Sequence, residues 1–296
     1  MPTNTASSAV TRTADIVATL LAETSIPYAK DVAQYVNVKT VRRKLERERT
    51  KKQIDLLRAY FELRFLSMSA LIAQHGFSNV FEIAAGLSPR GLAFSRNFGA
   101  HYCATDYENY QTICDIVRSI LVRETRDRER SGELTVMRVN ALDPEDIAEN
   151  FLRFKQRIRK GGAAHDQRIA IIQTGLLRYL PTEEKVAELS AIYNVLDPET
   201  YFVTTDIHCA DVHNRFCHVT GSAELARSTG RAIDHGADIF YFADRVEAEA
   251  VFQHCGLAVK EAYQQLTLAP GMATGRSPDE FAFLNAHEIW LMQRAS

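Results

Sequence analysis

Cysteine is sparse and unpaired in pattern. The five cysteines (Cys103, Cys114, Cys209, Cys217, Cys255) are odd in number, widely spaced, and contain no C-x-x-C pair. That argues against a disulfide framework and a zinc ribbon, and leads us to expect a reduced, cytoplasmic protein. No run approaches the roughly 18 apolar residues that a membrane helix needs. The amino-terminal stretch "MPTNTASSAVTRTADIVATLLAE" has no basic segment ahead of a continuous apolar one, so no secretory signal is expected. Net charge is nearly absent too: at −2 the chain has no global attraction for nucleic acid or a membrane surface. There is no G-x-G-x-x-G, no nucleophile elbow and no recognisable triad.

What is present is ordinary globular composition, 46% hydrophobic and 24% charged over 296 residues. This length permits one elaborated domain or a domain with an appendage. Residues 1–76 read as helical. Val10, Ile16, Val17, Leu20 and Leu21 recur at helical spacing after Ser7 or Ser8, and "TSIPY" interrupts the pattern. A short helix is expected at 31–36, then one long helix from about 38 to 75, stopped by Gly76. The segment "VRRKLERERTKKQ" carries seven basic and two acidic side chains, and the following "IDLLRAYFELRFLSMSALI" is far more apolar. One helix with an exposed and a buried end would look like this.

From Val80 the rhythm changes. Strands are expected at 79–85, 101–105, 134–139, 168–173 and 199–206, with helices near 90–98, 108–126, 144–159 and 183–196. This β-α-β-α alternation predicts a parallel sheet covered on both faces. "RIAIIQT" is nearly all apolar, as a central strand buried on both sides requires. Residues 207–244 break the rhythm and read as short helices over one end of the sheet. A helix at 243–255 and strands at 257–268 and 287–295 follow. The last two strands, joined without a helical stretch, are expected to form an antiparallel pair at the sheet edge.

The stretch "NVFEIAAGLSPRGLAFSRNFGAHYCATDYENY" (79–110) carries the chemistry. A strand runs into a small-residue loop and then a helix, a junction at which a ligand can lie against bare backbone. Glu82 is followed at two-residue intervals by Ala84, Gly86 and Ser88, and twenty residues after Gly86 the second strand ends on Asp106. An ionised carboxylate is acceptor-only and takes hydrogen-bond donors on both oxygens. A structural strand-end acid at 82, a solvated first-turn arginine at 90 and a plain turn asparagine at 140 are the competing readings of single residues.

This pattern resembles motif I of class I S-adenosylmethionine-dependent methyltransferases, D/E-x-G-x-G-x-G, with Ala84 and Ser88 in place of glycine. "AAGLSPRG" and "GLLRYLPTEE" look like the leucine carboxyl methyltransferase and polyketide O-methyltransferase group. There Gly86, Arg90, Gly175, Tyr179 and Leu180 hold comparable places, while Ser88-Pro89 and Thr174 depart from the pattern. The resemblance implies a Rossmann-like α/β fold: a seven-stranded sheet, mostly parallel with an antiparallel carboxyl-terminal strand. It implies an amino-terminal helical cap (1–76) and a methyltransferase domain (77–296) with an inserted cap at about 207–244. It implies S-adenosylmethionine as cofactor, held by Glu82, Ala84, Gly86, Ser88, Arg90, Asp106, Tyr107, Asn140, Ala141, Gln173 and Thr174. Within that set Asp106 would take the ribose, and Asn140 with Ala141 (or Asp143) would lie at the adenine. Arg90, Arg58 and Arg64 are candidates for the cofactor carboxylate. Tyr179 and His208 fall on the acceptor side, and no catalytic residue is assigned. The implied reaction is methyl transfer to an oxygen of a small molecule or to a carboxylate. A non-catalytic, cofactor-binding regulatory or scaffolding protein of the same fold is the alternative.

Two other motifs lead elsewhere. "HCADVHNRFCH" (208–218) offers metal-binding residue types, but His208 and His213 are five apart and do not share a helix face, so no metal is expected. The basic run 42–52 lacks interleaved aromatics, and Glu46 and Glu48 suit helix ion pairs, so a nucleic-acid partner is not expected.

Overall fold

The computed structural model describes residues 4–123, 132–160, 168–219 and 240–295, with side chains from Thr13 onward. Four helices precede the sheet: α1 (Asn4–Leu21), α2 (Ala29–Ala33), α3 (Val38–Glu48) and α4 (Lys51–Gln74). The alternating portion comprises β1 (Asn79–Ile83), α5 (Arg90–Asn97), β2 (His101–Asp106), α6 (Tyr110–Arg123), β3 (Leu134–Arg138), α7 (Pro144–Lys160), β4 (Ile169–Gln173), α8 (Thr182–Val195) and β5 (Thr200–Thr204). Then come α9 (Ala210–Val219), a helix over Arg245–His254, β6 (Leu257–Gln264), a helix over Pro278–Asn285 and β7 (Glu288–Arg294).

The seven strands order as β3-β2-β1-β4-β5-β7-β6. β1 pairs in parallel with both β2 and β4, and β7 alone runs antiparallel, between β5 and β6. The chain therefore reverses its direction of sheet growth between β1 and β4. In open α/β sheets the ligand crevice lies beyond the strand carboxyl ends at such a reversal. β1 and β4 are buried at every position, as central strands covered on both faces must be. The amino-terminal helices close their own apolar cluster, in which Leu20, Leu56, Leu63 and Phe65 meet Ala93, Phe216 and Leu284 from elsewhere in the chain.

Three expectations are corrected. The single helix over 38–75 is two. Arg49 is extended (φ −139°, ψ 148°), and Thr50 caps α4 through a reciprocal capping box with Gln53. The T-x-x-Q signature was in the sequence, but the unbroken run of good helix formers around it masked the stop. The strand expected over 257–268 ends at Gln264, where four residues turn helical. The link between the last two strands is not free of helix: Ser277 and Glu280 form a second capping box that starts Pro278–Asn285. Of the segment expected as an inserted cap, residues 220–239 lie outside the described residues. The rest comprises α9 and a bridge between Cys209 and Phe242.

Candidate active site at the strand carboxyl ends

The loop after β1 turns through two left-handed residues, Ala84 (φ 50°) and Gly86 (φ 56°). Glycine adopts that region freely, whereas an alanine Cβ crowds its own carbonyl there at a cost of about 1–2 kcal/mol. Above the loop sits α1: a Cβ added at Gly86 would lie 3.5 Å from the Ala14 side chain. The space between is a cleft open to solvent. Its walls include Thr13 and Ala14 of α1, Arg64 and Phe65 of α4, the loop 84–88 with Arg90, and Thr174, Gly175 and Tyr179 after β4. Tyr179 donates a 3.0 Å hydrogen bond to Thr13 Oγ1, tying the post-β4 segment to the amino-terminal helix.

Asp106 is bound to this turn. Its Oδ2 accepts from the Gly86 amide at 2.8 Å, and its Oδ1 accepts from Asn109 N at 2.6 Å and Nδ2 at 3.3 Å. Burial raises its pKa, and these donors oppose the rise.

Glu82 is fully buried. One oxygen pairs with Arg90 Nη1, and the other accepts from the Tyr102 hydroxyl at 2.6 Å. Burial pushes its pKa up, and the Arg90 guanidinium works against that. Arg90 also lies with its guanidinium carbon 5.1 Å from the Phe65 ring centre. Its charge in the cleft wall is thus matched by Glu82. Arg64 differs: no carboxylate among the described residues lies within ion-pair distance of it. It leans over the rings of Tyr60 and Phe61, 5.6 and 5.1 Å from their centres, and against Gly175, where an added Cβ would sit 2.9 Å from Nη1. Arg58 faces away, paired with Glu23 and Asp55.

The cleft therefore brings together Ala84, Gly86, Ser88, Arg90, Thr174 and Tyr179, with Asp106 anchored at its Gly86 edge. Tyr107, Asn140 and Ala141 stand apart from it at the ends of β2 and β3. Tyr107 is exposed, with the Arg138 guanidinium 4.3 Å from its ring centre. The Asn140 amide donates to Asp146, and its side-chain oxygen accepts from Leu142 N, which closes a turn. Gln173 is buried behind β4, where its Nε2 donates to Glu188, leaving the Gln173 Oε1 and Glu188 Oε2 atoms without partners.

At the end of β5, Asp206 organises the opposite side. This completely buried carboxylate accepts from the amides of Gly175, Leu176 (2.7 Å) and Leu177 (3.0 Å). Burial alone would raise its pKa; His208 and the amides of Leu177 and Gly175 outweigh that and hold it down at about 2. Asp206, Tyr60, Thr13 and His287 were not singled out from the sequence. "TTDIH" did carry the one available signal, an acid at a strand's carboxyl end, the same signal that marked Asp106.

This strand order, with its reversal at β1/β4 and lone antiparallel β7, is the fold of class I methyltransferases. Solved structures share it. A candidate methyltransferase from Thermobifida fusca YX is 16% identical, with 96% of this chain and 94% of that one covered at a TM-score of 0.58. Magnesium protoporphyrin IX methyltransferase from Synechocystis PCC 6803, solved with bound S-adenosylhomocysteine, is 11% identical, with 82% and 87% covered at 0.51. No protein-family model matches the chain, and no curated protein matches it by sequence. Among the described residues no helix is long and apolar enough to cross a membrane, and no three His, Cys, Asp or Glu side chains converge as a metal site.

Proposed function

We propose that the protein is an S-adenosylmethionine-dependent methyltransferase acting on an oxygen of a small molecule or a carboxylate. The observation that carries this reading is the junction of Gly86 with Asp106 beneath the α1 roof, at the reversal point of the sheet. The residues present fit the donor. The turn 84–88 offers bare backbone at Gly86 for the methionine portion, and Arg64 offers a guanidinium that no carboxylate among the described residues meets within ion-pair distance. Asp106 would hold the ribose diol, with Tyr107, Asn140 and Ala141 beside the adenine and Gln173 and Thr174 at the end of β4. Arg90, already paired with Glu82, would shape the cleft more than neutralise a ligand. Residues 1–76 serve in this reading as a helical cap on a catalytic domain (77–296), with the described parts of the 207–244 segment, 207–219 and 240–244, as a second cap on the acceptor side.

When bound, the donor supplies a methyl group already activated by a sulfonium. What the chain must add is alignment of the acceptor, which positioning alone can make fast. The test is incubation with deuterium-labelled donor and a metabolite extract, followed by mass spectrometry. A metabolite heavier by one labelled methyl group supports the enzyme. Donor binding without transfer to any acceptor favours the non-catalytic alternative.

A further inference from the structure

The helical cap carries a charge that the rest of the chain does not share. Residues 38–52 hold eight basic and two acidic side chains, a net +6 in a protein whose total is −2. Within α3 the basic residues divide by face. On the flanks they are paired with acids four residues on: Arg42 Nε lies 3.0 Å from Glu46 Oε1, and Lys44 Nζ lies 4.0 Å from Glu48 Oε1. Lys39, Arg43 and Arg47 follow one another at the same spacing and form an exposed ridge on another face. No carboxylate among the described residues lies within ion-pair distance of Lys39 or Arg43, and Arg47 reaches only Glu48, at 3.5 Å.

This ridge works against the helix that bears it. Like charges four residues apart on a helix repel, and Lys39 stands in the first turn, where the helix dipole disfavours a cation. No acid in that turn offsets it. Val41 and Leu45 supply the apolar contacts that seat α3 on the cap, so the ridge is not what holds α3 in place. Beside it, in the groove between α1, α3 and α4, Glu23 sits between two guanidiniums, with Arg42 Nη1 at 2.7 Å and Arg58 Nη1 at 2.8 Å. This surface thus already grips one carboxylate.

We propose that the face formed by Lys39, Arg43 and Arg47 docks an acidic helix of a partner protein. Successive ridge residues are about 6 Å apart along the helix axis, and carboxylates at every fourth residue of a partner helix repeat at the same interval. Guanidiniums take carboxylates in bidentate pairs, so Arg43 and Arg47 suit such a partner. A protein helix can also turn neutral or basic residues toward the exposed Glu46 and Glu48 on the same surface. A nucleic-acid backbone carries charge at every unit and cannot, and α3 has no aromatic side chain on which a base could stack. A membrane fits no better, because no large apolar side chain is exposed on α3. No residue of the ridge lines the donor cleft, and the proposal does not depend on the methyl-transfer reading.

The test uses the full-length protein and a fluorescein-labelled, alanine-rich helical peptide with glutamate at every fourth residue. Fluorescence anisotropy should show saturable binding that weakens as salt rises. The same peptide with glutamine for glutamate should bind at least about tenfold more weakly, and so should the glutamate peptide to a Lys39→Gln, Arg43→Gln, Arg47→Gln variant. That variant should keep or raise the thermal transition of the wild type, because repulsion along α3 is relieved. A control variant, Arg153→Gln, Arg159→Gln, Lys160→Gln, removes the same charge from α7 and should leave peptide binding nearly unchanged. Equal losses in the two variants would reveal unspecific attraction and overturn the proposal. A clearly lowered transition in the ridge variant would assign the ridge to the fold and overturn it as well. So would the absence of peptide binding, or tighter binding to polyuridylate or to vesicles of phosphatidylserine and phosphatidylcholine.

Discussion

Asp106 and Gly86, twenty positions apart, are joined by a 2.8 Å hydrogen bond from the Gly86 amide to the Asp106 carboxylate. The bond ties the end of β2 to the turn after β1. Gly86 itself is left-handed and carries no side chain into the space next to Ala14 of α1. Fold and candidate chemistry meet at this contact. In the proposed reading, a ribose diol would share the carboxylate with the amide that positions it.

The buried pair Glu82–Arg90 should behave as a unit. Arg90→Leu alone leaves a carboxylate uncompensated in the core and is expected to cost roughly 3–5 kcal/mol of unfolding free energy. Glu82→Gln in the same chain should recover part of that, because the amide carries no charge. Urea denaturation of the two single variants and the double variant gives the coupling energy directly, and strict additivity would show that the pair is not coupled.

Backbone strain in the donor loop is separable from its bareness. Ala84 is left-handed, so Ala84→Gly should relieve strain, and the extra chain entropy of glycine offsets part of the gain. The expected net change is zero to about +1 kcal/mol, measured by thermal or urea unfolding. Gly175→Ala should go the other way. At φ 90° and with Arg64 Nη1 2.9 Å from the new Cβ, it should lower stability by about 1–3 kcal/mol and displace Arg64. Donor affinity should fall with it, and an unaltered affinity would remove Arg64 from the proposed cofactor site.

Acid sensitivity should trace to Asp206. Its folded pKa, about 2, lies below the unfolded value of 3.8. Its stabilisation is therefore fully present above about pH 4 and is lost as pH falls toward 2. The difference corresponds to about 2 kcal/mol for a group this deeply buried. Comparing unfolding free energies of wild type and Asp206→Asn across that window isolates the term. Wild type should lose more stability than the variant on acidification, and parallel curves would contradict the assignment.

The sheet was largely legible in the sequence because its strands are short apolar runs separated by helical periodicity. Strands β1 to β5 fall within a residue or two of their expected places. Asp106 could be found because it lies at a strand end at a fixed distance from a glycine. The partners were harder to read. That Arg90 folds back on Glu82 depends on a rotamer, and that Asp206 reaches three amides after β4 depends on the register pairing Gln173 with Thr204. Tyr60 and His287 meet ring against ring although more than two hundred residues separate them, and nothing local marks either residue. The break at Arg49–Thr50 was missed because helix-forming residues flank a cap that only the capping-box spacing betrays.

The account rests most heavily on donor binding at the Gly86–Asp106 junction, and titration calorimetry with S-adenosylhomocysteine tests it most directly. Wild type should bind one equivalent. Asp106→Ala, confirmed as folded by its thermal transition, should bind at least about tenfold more weakly, a loss of about 1.4 kcal/mol or more. Equal affinity in the two proteins, or no heat of binding in wild type, would contradict it.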